Sequence, residues 1–196
     1  MYGNFYSGKH YQSTWIAHAD DQFELTDPNK LTYLVNDEKL EFSFNNIDGK
    51  KIEYPNKQYD NKVTIIQIMG SWCPNCMDET RYYLDLYKKY HDDGLEIILI
   101  GYEVGQNEEE YAFKLKRLQE RYNVPFELLI GGAANKNKAA QDFKMLNNII
   151  SFPTSIFVNR DGEIVKVHTG FNGPGTGKYY QDYTQETEAF LEGLLY

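Results

Sequence analysis

Val63-Thr64-Ile65-Ile66-Gln67-Ile68-Met69, followed at once by Gly70-Ser71-Trp72-Cys73-Pro74-Asn75-Cys76, is the stretch on which the fold turns. Its first seven residues are short, β-branched and nearly all apolar, the pattern of a strand covered on both faces and lying centrally in a sheet. Cys73 and Cys76 are the only cysteines among 196 residues. Two thiols separated by two residues, set between a buried strand and a helical pattern, are the sequence form of a redox dithiol site.

The local chemistry favours that reading. Cys73 stands just before a predicted helix N-terminus, where unpaired backbone N–H groups and the helix dipole stabilise a thiolate. A lowered pKa makes Cys73 the nucleophile. Pro74 suits the first helical position, where its missing N–H has no intrahelical role. Cys76, three residues on, shares the helix face at roughly 5 to 6 Å, a separation a disulfide accepts. Cys73 can therefore attack a substrate disulfide and Cys76 can resolve the mixed disulfide, or the reverse sequence can deliver one. The competing readings of the pair are a zinc half-site or an inert staple. Zinc needs four ligands, no second cysteine pair exists, and His10, His18, His91 and His168 lack ligand spacing. No metal and no bound cofactor are expected.

A formal net charge of −9 argues against a nucleic-acid partner. No stretch approaches the roughly 18 apolar residues of a membrane span, and Met1-Tyr2-Gly3-Asn4-Phe5 does not read as a signal peptide. One cysteine pair leaves the compartment open, because dithiol enzymes work in reducing and oxidising surroundings alike.

Around the central stretch, strands and helices alternate. Leu40, Phe42 and Phe44 alternate with polar neighbours, and Asp48-Gly49 turns the chain into a second short strand through Ile52, a β-hairpin. Thr80, Tyr83, Leu84, Tyr87 and Tyr90 recur at helical spacing until Asp93-Gly94, and this tyrosine stripe reads as packing. Leu95 to Tyr102 is a second buried strand. Glu108-Glu109-Glu110 opens a helix whose inner stripe is Tyr111, Leu115, Leu118 and Tyr122, ended by Pro125. Phe126 to Ile130 reads as a strand and Gly131-Gly132 as a turn. Ala139, Ala140, Phe143 and Leu146 suggest another helix, Ser155–Val158 and Glu163–Val167 a hairpin about Asp161-Gly162, and Phe190, Leu191, Leu194 and Leu195 a closing helix. This order predicts an α/β sandwich with a mixed sheet. Residues 1–39, where Tyr11, Ser13, Trp15 and Ala17 alternate with His10, Gln12, Thr14 and Ile16, hold too little for a core. They are expected to be an extension packed on the main domain or the tail of an upstream β-rich domain.

Residues 40–196 resemble the thioredoxin superfamily in its TlpA/ResA-like branch of envelope thiol-disulfide oxidoreductases. The resemblance rests on Phe42 to Ile52, on Gly70 to Cys76, on Phe152-Pro153-Thr154, and on Ile156 to Gly162 followed by Gly170. It implies a thioredoxin-like three-layer sandwich, a mixed central sheet flanked by helices with an N-terminal β-hairpin. It also implies a cis Pro153 opposite the cysteines, with Phe152 and Thr154 beside it and the Phe152 backbone free to hold an extended substrate. Trp72 would shape the substrate rim. Glu79 matches an acid often found after the second cysteine, for proton handling or pKa tuning; an exposed surface glutamate is the alternative. Two departures stand out. Gln67 occupies the place of thioredoxin's buried aspartate, and Gly70 replaces the family's usual alanine. The implied partners are protein thiols or disulfides and an electron-donor protein, outside the cytoplasm. A binding or redox-sensing module on the same fold without efficient turnover and a thiol peroxidase are the other classes, although the peroxiredoxin Pro-x-x-x-Thr-x-x-Cys pattern is missing around Cys73. The three-residue cysteine spacing typical of copper delivery on this fold is missing too.

Overall fold

Five strands pair in the order β7-β6-β5-β8-β9, and the apolar stretch Val63–Met69 is the central one, β5, buried at every residue. The computed structural model describes residues 1–7, 11–24, 26–36 and 39–196; His10 lies outside them. In chain order the elements are β1 (Tyr2–Ser7), β2 (Tyr11–Ile16), α1 (Pro28–Leu31), β3 (Phe42–Asn45), β4 (Lys51–Tyr54), β5, α2 (Pro74–Tyr90), β6 (Leu95–Glu103), α3 (Glu108–Tyr122), β7 (Glu127–Ala133), α4 (Lys136–Asp142), β8 (Thr154–Val158), β9 (Ile164–Thr169), a 3-10 turn at Pro174–Thr176, and α5 (Lys178–Leu195).

β5 runs parallel to β6, and β6 to β7, while β8 is antiparallel to both β5 and β9. The sheet is mixed, as the alternation of elements predicts. Because side chains alternate across a strand, Val63, Ile65 and Met69 face α2, α3 and α5, with Tyr83, Leu115 and Leu191 in that layer. Ile66 and Ile68 face the opposite layer, built from α4 and the β3–β4 hairpin, with Phe42, Ile52 and Phe143. The three layers follow from β5 being apolar on both faces. Gln67 is the exception on the α2 face, buried and polar.

The β3–β4 hairpin forms in the expected register, Phe44 opposite Ile52, with Gly49 at φ 80 in its turn. It joins β7 through an Asn46–Leu129 bridge. Several details differ from expectation. On α2 the buried stripe includes Tyr82 and Leu86, while Leu84 and Tyr87 are only half-buried. α3 ends at Asn123, whose left-handed backbone (φ 50) caps it, two residues before Pro125. Gly131 and Gly132 lie inside β7, not in a turn. A side chain at Gly131 would run into the Tyr102 ring, 2.7 Å from it, so the glycine serves strand packing. Leu146 lies beyond α4, bridged to Leu34.

The N-terminal residues divide into two parts. β1 and β2 make a separate antiparallel hairpin, Tyr2 opposite Ile16, with Tyr2, Tyr6 and Ile16 largely exposed. Residues 27–35 instead adhere to the sheet: Thr169 Oγ1 donates to Thr32 Oγ1 at 2.7 Å, and Val35 N to Met145 O at 2.9 Å.

Candidate active site

β5 delivers the chain to its C-terminal edge, where Cys73 N donates to Gly70 O at 3.0 Å and closes a turn. Cys73 is then the N-cap of α2 with extended backbone, and Pro74 takes the first helical position. Its sulfur accepts from Cys76 N at 3.3 Å, so a helix-start amide points at the sulfur as the capping argument requires. Cys73 and Cys76 are joined as a disulfide with Cα atoms 5.2 Å apart. The two sulfurs differ in access: Cys73 keeps 7% of its surface exposed and Cys76 none.

Phe152 and Pro153 face this pair. The Phe152–Pro153 peptide is cis, and Phe152 O lies 3.6 Å from Cys73 Sγ. Gly170 N donates to Pro153 O at 2.8 Å, and Thr154 Oγ1 to Ser151 O at 2.9 Å, holding the approach to β8. Trp72 is half exposed; its Nε1 donates to Tyr102 O at 2.9 Å. The indole meets Phe152 edge-on, and Phe152 stacks on Tyr102 at 5.7 Å. A Cβ at residue 70 would overlap the indole and come within 2.9 Å of Tyr102 O. The departure at Gly70 therefore makes room for the tucked Trp72.

Glu79 is completely buried, which removes the surface alternative. Gln67 Nε2 and Ser155 Oγ donate to its Oε2 at 2.8 and 3.0 Å, and Tyr183 OH to its Oε1 at 3.2 Å. Burial pushes its carboxyl up to about 7, against the lowering effect of these donors. Gln67 also donates to Cys76 O at 3.3 Å and accepts from Thr80 Oγ1 at 2.9 Å. The buried carboxylate has thus moved from the central strand to the helix, and a neutral amide links it to the Cys76 backbone.

Glu103 is a further buried acid, at the end of β6. Its Oε1 accepts from Ser71 N at 2.6 Å and its Oε2 from Ser71 Oγ at 2.7 Å, bracing the turn that carries Trp72 and Cys73. Burial raises its pKa. Sequence reasoning ended the strand at Tyr102 and passed over it; the available signal was a lone acid closing an apolar run. Ser155 and Tyr183 were missed too, since their role depends on strand pairing and on where α5 packs. Among the described residues no cluster of three or more His, Cys, Asp or Glu could hold a metal ion, and no helix is long and apolar enough to cross a membrane.

The family model described as Redoxin matches residues 34–183. The chain belongs to the Redoxin family. Thiol-disulfide oxidoreductase ResA of Halalkalibacterium halodurans is 30% identical to this Redoxin chain over 134 residues, 68% of each chain. Sporulation thiol-disulfide oxidoreductase A of Bacillus subtilis is 27% identical over 148 residues, 74% of this chain and 78% of that one. A crystal structure of a thioredoxin-family thiol:disulfide interchange protein from Chlorobium tepidum superposes with a TM-score of 0.58, covering 80% of this chain and 94% of that one. At 16% identity that last likeness is one of fold. The ResA-like, thioredoxin-superfamily character implied by the motifs agrees with all three.

Proposed function

We propose that this Redoxin protein is a thiol-disulfide oxidoreductase in which Cys73 attacks and Cys76 resolves. The observation that carries the reading is the asymmetry of the pair: Cys73 keeps a small exposed surface at the helix tip, while Cys76 is fully buried one helical turn from a protonatable carboxyl. In the reducing direction the Cys73 thiolate attacks a substrate disulfide, one substrate sulfur leaves and takes a proton, and a mixed disulfide forms. Cys76 gives up its proton, with Glu79 as the buried acceptor, and attacks the Cys73 sulfur. The second substrate thiol is released and two electrons have passed to the substrate. Oxidation runs the same steps backwards. The Phe152 carbonyl and the exposed half of Trp72 form the ledge for the incoming polypeptide, beside Pro153 and Thr154.

The same reading makes the substrates protein thiols or disulfides, gives the enzyme an electron-donor protein, and places it outside the cytoplasm, by its likeness to ResA-like proteins. Residues 1–39 serve as an extension of the domain or as the tail of an upstream β-rich domain. Repeated reduction of a model protein disulfide tests the reading. Wild type should turn over, Cys76→Ser should accumulate the mixed disulfide, and Cys73→Ser should do neither. A wild-type protein that reacts once and stops would establish a redox switch instead.

A further inference from the structure

Arginine is scarce in this acidic chain, and its placement is uneven. The sequence contains four, Arg81, Arg117, Arg121 and Arg160, against a net charge of −9. Arg160 is structural: its guanidinium donates to the carbonyls of Asn61, Asp93 and Leu195 at 2.8, 2.9 and 3.0 Å. The other three lie on α2 and α3, two of them over the Tyr122 ring. A groove of about 510 Å³ runs between α2 and α3, lined by Ser71, Met77, Lys114, Arg117, Arg121 and Tyr122 among others. Ser71 is two residues before Cys73, and Met77 is one helical turn after it, with Met77 N donating to Cys73 O at 3.1 Å. Two residues that flank the cysteine pair along the chain therefore form part of the groove wall.

The arginines lie close to aromatic rings. Arg81 and Arg121 lie 5.2 and 5.3 Å from the centroid of the same Tyr122 ring, and Arg117 lies 5.9 Å from that of Phe113. Arg81 donates to Tyr122 OH at 3.0 Å and pairs with Asp78, and Lys114 donates to Val104 O. Among the described residues Arg117 and Arg121 form no ion pair, and Glu120 is the one acid in the lining. A guanidinium attracted to the face of an aromatic ring can still offer N–H groups to a carboxylate, which arginine captures in bidentate fashion.

We propose that this groove binds an acidic segment of the partner polypeptide, flanking the cysteine that meets Cys73. The inference rests on the dithiol reading for its purpose but concerns recognition, so binding and turnover are measured separately. Fluorescent peptides with a central serine in place of cysteine, and acidic, neutral or basic flanks, are titrated against the oxidised protein by anisotropy. Their cysteine disulfide counterparts are used as substrates.

The acidic peptide should bind at least about tenfold more tightly than the neutral one at low salt. That preference should collapse when ionic strength is raised to about 0.5 M, and in Arg117→Ala/Arg121→Ala. The ratio of kcat/KM between acidic and neutral substrates should fall towards one in the same variant. Equal binding of acidic and neutral peptides by wild type, or a preference that survives the double substitution, overturns the proposal. Selective binding of the acidic peptide without turnover of any disulfide would uphold the groove and overturn the dithiol reading.

Discussion

Gln67 and Glu79, from the central strand and the redox helix, are hydrogen-bonded at 2.8 Å in a fully buried setting, and the same Gln67 amide reaches Cys76 O. The pairing leaves a carboxyl with good donors but no cation among its described hydrogen-bond partners, so burial dominates and its pKa rises from 4.5 to about 7. Between those values the native state binds more protons than the unfolded one, and stability falls as pH rises through the window. The shift corresponds to roughly 3 kcal/mol. Glu79→Gln should remove this contribution, so that stability of the oxidised protein rises more with pH than it does in wild type. Urea unfolding at several pH values reads it, and an unchanged slope would show that Glu79 titrates normally.

His168 is predicted to act in the opposite sense. It is buried on β9 against the Tyr183 ring at 4.8 Å, with its Nδ1 2.9 Å from Asn29 Oδ1. Burial, then repulsion from Lys166, lowers its pKa from 6.5 to about 4, with Asp27 opposing. Here the unfolded state binds the extra proton, so stability is lost as pH falls from about 6.5 to about 4. The two groups nearly cancel between 4.5 and 6.5. His168→Gln should therefore expose the Glu79 trend, with stability rising on acidification, whereas Glu79→Gln should steepen acid unfolding. Parallel pH profiles for the two variants would contradict this.

The sandwich was legible because β5 is apolar on both faces and because Asp48-Gly49 and Asp161-Gly162 announce their hairpins. The Cys73–Cys76 pairing was legible from a two-residue spacing set between a buried strand and a helical pattern. What the sequence hid were long-range partnerships. Ser155 and Tyr183 lie 76 and 104 residues from the Glu79 they bond, and no local pattern couples them. Glu103 was hidden because its partner, Ser71, belongs to another loop, and Gly131-Gly132 because a bulged strand and a turn use the same residues. The β1 strand was overlooked since Tyr2–Tyr6 has no buried residue to impose apolar alternation.

Gly70→Ala should dislodge Trp72. The added methyl would overlap the indole and approach Tyr102 O to 2.9 Å, so the Nε1 bond to Tyr102 must break. The expected result is a red-shifted Trp72 emission, isolated in a Trp15→Phe background, with a stability loss of about 1–2 kcal/mol. Emission identical to that of the background protein would mean that the loop absorbs the methyl without moving the ring.

Glu103→Ala should loosen the turn ahead of Cys73. It removes the acceptor of Ser71 N and Ser71 Oγ together, at a cost of about 1–3 kcal/mol. Glu103→Gln keeps an acceptor for the amide and should recover part of that loss. Denaturant midpoints for the pair decide it, and equal stability of wild type and the alanine variant would remove Glu103 from the architecture of the loop.

The two parts of the N-terminal region should separate on truncation. The β1–β2 hairpin closes on itself, with Met1 N donating to Ala17 O at 2.7 Å and Ala17 N to Met1 O at 2.8 Å. Residues 27–35, by contrast, share bonds with the domain: Tyr33 N donates to Asn147 Oδ1 at 2.9 Å, Asn147 N to Tyr33 O at 3.0 Å, and buried Thr32 meets Thr169. A protein beginning at residue 18 should keep wild-type stability within about 0.5 kcal/mol. One beginning at residue 40 would leave buried Thr169 and His168, and exposed Asn147, without these partners and should lose about 2 kcal/mol or more, since each orphaned buried group costs about 1–3 kcal/mol. Thermal unfolding of the two truncations distinguishes them. Equal stability would place the domain's first structural residue at the β3–β4 hairpin, whereas the expected gap places it at the Asp27 cap of α1.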